Sequence, residues 1–186
     1  MRESHDISEV VLREGTGADI AACVSLWVEA CATRDGRSVA GVAGRARPKF
    51  DHVEAWILAA HPEFGVLGFV LATPPGSGRP LDPADAPVIG LLAVASAFQG
   101  HGLGGTLLEA MIDALGQLGY PRAVLHVLAD NHSAVRLYSS KGWRPEGAPF
   151  QHSLLKRPTQ TYSVCLPPPT DQSPIHRPSR FDVGGP

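Results

Sequence analysis

No run of about eighteen apolar residues occurs in this chain, so the sequence offers no helix able to cross a membrane. Charge is scarce as well: charged residues make up 18% of the 186, and the formal net charge is −2. That balance gives no electrostatic argument for nucleic acid or for an anionic membrane, and neither partner is expected. Cysteine is confined to Cys23, Cys31 and Cys165, a spacing that matches neither a metal knuckle nor a redox pair. Cys23 and Cys31 fall eight apart on one prospective helix face and read as small buried hydrophobes. The eight histidines are scattered, without a ligand pair of the H-E-x-x-H kind, so no metal site is expected. The opening residues, M-R-E-S-H-D-I-S-E-V, lack the apolar run of a secretory leader. The cytoplasm is the default expectation.

What the chain does have is apolar residues, 44% of the total, arranged in short runs. Residues 7–14 read as a first strand and 18–32 as a helix, with Ile20, Cys23, Val24, Trp27 and Cys31 at helical spacing. Residues 34–50 carry Arg34, Arg37, Arg45, Arg47 and Lys49. They read either as a solvated connector with one short helix or as a lid near an anionic ligand. The runs 55–60 and 66–73, separated by H-P-E-F-G, predict a hairpin. Five prolines and two glycines make 74–87 a surface loop. Residues 88–95 are apolar on both faces, as a central strand requires. A helix over about 102–118, a strand at 122–128, a short helix at 132–141 and a last strand at 159–166 follow. One domain is expected over 1–166, with a proline-rich, disordered tail over 167–186.

Between the strand at 88–95 and the helix lies Gln99 to Gly105, Q-G-H-G-L-G-G. Gly100, Gly102, Gly104 and Gly105 remove side chains where a helix start offers free N–H groups, and Thr106 adds a hydroxyl. That is a place for a diphosphate. The same glycines satisfy G-x-G-x-x-G, and Asp130 stands where a ribose-binding acid would. A dinucleotide domain needs further βα units, however, and too little chain follows Asp130 to supply them. No Lys follows Gly105, so a P-loop is excluded.

The stretch L-A-V-A-S-A-F-Q-G-H-G-L-G resembles the strand, bulge and phosphate loop of the GCN5-related N-acetyltransferase (GNAT) family. The signature R/Q-x-x-G-x-G/A is met by Gln99, Gly102 and Gly104. About thirty residues on, N-H-S-A-V-R-L-Y-S-S-K-G-W resembles the family's second signature through Asn131, Ala134, Leu137, Tyr138, Gly142 and Trp143. The likeness implies an α/β fold of the GNAT acyl-CoA N-acyltransferase type. Its central sheet is mixed, mostly antiparallel, splayed at the cofactor site and flanked by helices. It also implies direct transfer of an acetyl group from acetyl-CoA to a primary amine, in a small molecule or at a protein N-terminus. The implied cofactor residues are Leu92, Ala93, Val94 and Ala95 on the splayed strand, then Gln99, Gly100, His101, Gly102, Leu103, Gly104, Gly105 and Thr106. Asn131, Ala134 and Tyr138 complete that set. A homodimer fits the family too.

The transfer needs a base for the amine, stabilisation of the carbonyl oxygen, and an acid for the leaving sulfur. Tyr138 is the acid that the resemblance implies, since a phenol keeps its proton at neutral pH; read on its own residues, sharing an apolar face with Ala134 and Leu137, it is first a core aromatic. Asn131 orients the cofactor or caps the short helix. Relatives often read L-E-V where this chain reads Leu125, His126, Val127, so His126 stands where a Glu is usual. An imidazole can take a proton near neutral pH, and a satisfied strand histidine is the plain alternative. His61 and Glu54 are weaker base candidates. The missing strand carboxylate leaves a second functional reading open, a non-catalytic acyl-CoA-binding regulatory module. The acceptor pocket falls to the first half and to loops near 34–50 and 144–160, where no acidic cluster points to a polyamine.

Overall fold

The computed structural model describes residues 9–170. The start of the expected first strand and residues 171–186 of the expected tail lie outside the described residues. Seven strands form one sheet: β1 (Val11–Glu14), β2 (Ala55–His61), β3 (Gly65–Thr73), β4 (Val88–Val94), β5 (Arg122–Leu128), β6 (Arg144–Gln151) and β7 (Pro158–Cys165). Their order is β1-β2-β3-β4-β5-β7-β6. All pairings are antiparallel except that of β4 with β5. The mixed, mostly antiparallel sheet with flanking helices is the expected fold.

Helices cover both faces. On one lies α3 (Leu103–Gln117), whose Leu107, Leu108, Met111 and Leu115 are wholly buried. They pack in one cluster with Val70, Leu125 and Trp143, a broad apolar face of the kind a helix lying flat on a sheet needs. The short α4 (His132–Ser140) adds Ala134, Leu137 and Tyr138 to the same cluster. On the opposite face α1 (Ile20–Asp35) and α2 (Val42–Ala46) enclose a second cluster of Cys23, Leu26 and Ala46 with Phe69 and Leu71. α1 stops at Gly36, which takes the left-handed conformation of a helix terminator at φ 67°. No helix among the described residues is long and apolar enough to cross a membrane.

One expectation fails here. Residues 144–151, read from sequence as loop, form β6, the outermost strand, paired to β7 alone. Pro145, Gly147 and Pro149 conceal it in the sequence. An edge strand tolerates proline because its outward N–H groups need no partner. The residues after β7 lie against α3: Gln117 Nε2 donates to Thr170 Oγ1 at 2.9 Å.

The sheet's discontinuity positions everything that follows. β4 pairs with β5 at Val88↔Val124 and Ile89↔Leu125 and then leaves it. Across the other edge, β3 pairs Leu71 with Leu91 and Ala72 with Ile89. Gly90 is therefore an extra residue, a β-bulge, and a bulge bends its strand and sharpens its twist. The departure of β4 from β5 begins at that residue.

Candidate active site

A cleft of about 1040 Å³ opens where the two strands part. It passes through the sheet, so both faces contribute to its wall. From the α3 face come Leu103, Ala134, Leu137 and Tyr138; from the α1 face come Trp27, Arg34, Lys49, His126 and Phe150. Of the residues expected at the cofactor, Leu92, Ala93, Val94, Gln99, Gly100, Gly102, Leu103, Gly104, Gly105, Asn131, Ala134 and Tyr138 all line it. Ala95, His101 and Thr106 do not.

The glycine turn is built in two parts. Gly100 and Gly102 have φ of 83° and 82°, and nothing lies within 4 Å of where a Cβ would stand. These two let the chain turn and leave it open to approach. Gly104 and Gly105 are inside α3 and face α4, where a Cβ would meet Leu137 at 3.5 Å and Lys141 at 3.3 Å. Their smallness sets the spacing of α3 and α4 rather than clearing space for a ligand. The first helical bond runs from the Thr106 N–H to the Gly102 carbonyl at 3.0 Å. The amides of Leu103, Gly104 and Gly105 precede it and have no acceptor within the helix. That set, at the positive end of a fifteen-residue helix, fits a diphosphate.

Three expected contributors have other partners. The Thr106 hydroxyl donates back to the Gly102 carbonyl at 3.3 Å. His101 Nδ1 faces the carbonyls of Phe98 and Gln99 at 3.3 and 3.2 Å, so it carries the ring proton and braces the turn. The Ala95 N–H donates to Leu67 at 2.8 Å, and its carbonyl accepts from Phe98 at 2.9 Å. Gln99 also acts within the protein, through Nε2 to the Val94 carbonyl at 3.0 Å, and this bond ties the turn to the end of β4.

On α4, Asn131 is the N-cap: its side-chain oxygen accepts from the Ala134 N–H at 3.3 Å. Tyr138 lies two turns further along, its ring 6.1 Å from that of Trp143. Burial pushes its phenol up to about 12, because desolvation penalises the phenolate. The group holds its proton throughout the neutral range.

His126 brings the unforeseen residue. Its Nε2 is 3.0 Å from the carboxylate of Asp82, which is nearly buried at 6% side-chain exposure. Asp82 comes from the proline-rich loop and is held by the Arg79 N–H at 2.6 Å. The His126 ring meets Phe150 of β6 edge-on at 5.5 Å, and the Arg79 guanidinium covers the same Phe150 ring at 3.5 Å. The sequence contained no signal for Asp82 at this site. The other base candidates are elsewhere: His61 is buried on β2 beside Phe64, and Glu54 accepts from the Tyr120 hydroxyl at 2.7 Å.

Ion pairs frame the α1 side of the cleft. Asp35, at the end of α1, binds Arg34 at 2.7 Å and Arg157 at 2.6 Å. Arg157 also reaches Asp130 at 2.6 Å, so the β6–β7 connection is tied both to α1 and to the end of β5. Hydrogen bonding from Arg34, reinforced by Arg157, holds the Asp35 carboxyl down at about 2. In that connection His152 Nδ1 accepts from the amides of Leu154 and Leu155 at 3.2 and 3.0 Å. Burial, followed by the charges of Arg45, Arg34 and Arg157, lowers its pKa. Of the run 34–50, Arg34, Arg45 and Lys49 line the cleft, while Arg47 pairs with Asp51 on the surface.

The model of the acetyltransferase (GNAT) family matches residues 18–143. The chain belongs to this family. GNAT enzymes are acyltransferases, and their acyl donor is acetyl-CoA. The ribosomal-protein-S18-alanine N-acetyltransferase of Escherichia coli superimposes with a TM-score of 0.65 at 16% identity, over 89% of this chain and 99% of that one. A GNAT superfamily phosphinothricin acetyltransferase from Sinorhizobium meliloti, solved in complex with acetyl-CoA, gives 0.66 at 15% identity over 91% and 95%. At such identities the likeness is one of fold. A mycothiol acetyltransferase from Jonesia denitrificans is 48% identical over 56 residues, which are 30% of this chain and 18% of that protein. The chain thus matches under a fifth of that relative's length.

Proposed function

We propose that this GNAT chain transfers the acetyl group of acetyl-CoA directly to a primary amine, in a small molecule or at a protein N-terminus. One observation carries the reading: the sheet opens at Gly90 with an imidazole–carboxylate pair on one face and a protonated phenol on the other. Bound acetyl-CoA supplies an acyl group activated as a thioester. Backbone groups of Leu92 to Val94 hold its arm, and the turn from Gln99 with the amides of Leu103 to Gly105 holds its diphosphate.

The amine enters from the α1 face. His126 takes its proton on Nδ1, since Nε2 is engaged by Asp82. Asp82 orients the ring and steadies the positive charge that the proton brings. The new N–C bond forms as the C–S bond breaks, and the Tyr138 hydroxyl gives its proton to the departing sulfur. The phenolate left on Tyr138 regains a proton from solvent, and His126 releases the one it took.

The competing reading, a non-catalytic acyl-CoA-binding module, drew on the absence of a strand carboxylate. Asp82 brings a carboxylate to that position from the loop, which supports the enzyme instead. The test is release of free CoA from acetyl-CoA across a broad panel of amines and N-terminal peptides. Amine-dependent release that falls in both His126→Ala and Tyr138→Phe is the expected result. Cofactor binding with no release above hydrolysis would establish the module.

A further inference from the structure

The cleft wall on the α1 face is positively charged. Arg34, Arg45, Lys49 and Arg79 line it, and among the described residues no Asp or Glu does. Arg34 is neutralised by Asp35 at 2.7 Å. The others are not: Arg45 donates to the uncharged Ser153 Oγ at 2.5 Å, and Arg79 covers the Phe150 ring. The Lys49 ammonium has neither a hydrogen-bond nor an ion-pair partner among the described residues.

Lys49 also has the most informative position. A Cβ on Gly90 would lie 3.0 Å from its Nζ, so the ammonium rests on the bulge where the sheet opens. The side chain is half-buried, and that burial lowers its pKa, as expected of a cation partly withdrawn from water without a counter-charge. The cofactor's diphosphate does not call for it, because the glycine turn opens α3 on the other face of the sheet. His126 shares the Lys49 face, so an amine at the imidazole and an anion at the ammonium can belong to one molecule.

We propose that the acetyl acceptor is a small amine bearing its own anionic group, the α-carboxylate of a free amino acid being the simplest case, and that Lys49, flanked by Arg45 and Arg79, seats that group. The proposal rests on the acetyltransferase reading above and narrows its acceptor. The same cations repel a polyamine or an aminoglycoside.

The test separates the two readings by measuring binding and turnover independently. The full chain, loaded with CoA, is titrated calorimetrically with N-acetyl derivatives of the twenty amino acids and with the C-terminal amide of each. At least one acid should bind tenfold or more tightly than its amide. Lys49→Met should abolish the difference while the CoA dissociation constant stays within twofold. Gly90→Ala, which sets a methyl group against Nζ with Lys49 intact, should reduce it. If the amides of Asp and Glu bind as well as the acids, the anion comes from a side chain and the seat at Lys49 still stands. Amides binding as tightly as acids throughout, or no acid binding at all, would overturn the proposal. Turnover of the matching free amino acids is then measured by CoA release. A carboxylate preference in binding without turnover upholds the anion seat and removes the acetyltransferase reading. Equal acetylation of neutral amines does the reverse.

Discussion

The Asp82 carboxylate lies 3.0 Å from Nε2 of His126, forty-four residues away in sequence. A histidine used as a base must present one nitrogen with a lone pair, and a partner on the other nitrogen enforces that tautomer. Asp82→Asn keeps the shape and loses the charge. Its kcat should fall about tenfold to a hundredfold, within the range of general base catalysis, with KM for acetyl-CoA little changed. His126→Ala should fall at least as far. Steady-state kinetics decide it, and wild-type kcat in His126→Ala removes that residue as base.

Tyr138 makes the opposite demand, that a proton be kept. Its phenol, pushed up to about 12 by burial, stays protonated at any pH where the fold is tested. Tyr138→Phe should lower kcat about a hundredfold and leave acetyl-CoA affinity near wild type. Loss of affinity with unchanged turnover would make the ring a packing residue only.

The two halves of the glycine turn should fail in different ways. Gly102→Val forces a branched residue into positive φ, at a cost of about 1–2 kcal/mol. Relaxation of the turn should weaken acetyl-CoA binding about tenfold. Gly105→Leu instead presses on Lys141 across 3.3 Å and overpacks the α3–α4 contact by about 1–3 kcal/mol. Thermal unfolding and cofactor titration, run on both variants, should show Gly102→Val weighted toward affinity and Gly105→Leu toward stability.

Asp35 sets an acid limit on the framework of the cleft. Its folded pKa of about 2 is depressed from an unfolded 3.8. A depressed carboxyl contributes its stability fully above the unfolded value and loses it as pH falls through the folded one. The window is therefore about pH 4 down to 2, and the amount about 2 kcal/mol. Asp35→Asn should be less stable than wild type at pH 6, and the two should converge near pH 2 in thermal unfolding.

What the sequence disclosed followed the range over which its signals act. The strand at β4, the turn, α3, β5 and α4 were all legible, because apolar period, glycine spacing and the Asn131 to Trp143 segment are local. Tyr138 and Asn131 came with them. Asp82 was hidden because its role depends on a loop folding back onto β5, and a single acid among prolines carries no period. Gly90 gave no sign of being an extra residue, since a bulge is defined by the partner strand and not by its own. Lys49 was visible only as one of several cations on 34–50. Its place against Gly90 depends on how that segment packs on the sheet, which no local pattern encodes.

Two residue pairs hold β4 to β5, so backbone pairing is thin there, while α3 and its buried cluster carry the core across the gap. The glycine turn and Lys49, proposed to grip the donor and the acceptor, come from the chain before β5. His126 and Tyr138, proposed to handle protons, come from β5 and α4, with Asp82 reaching His126 from the loop before β4. Grip and chemistry then draw on different stretches of one chain: exchanging the segment around Lys49 would redirect the choice of amine while Asp82, His126 and Tyr138 carry over intact.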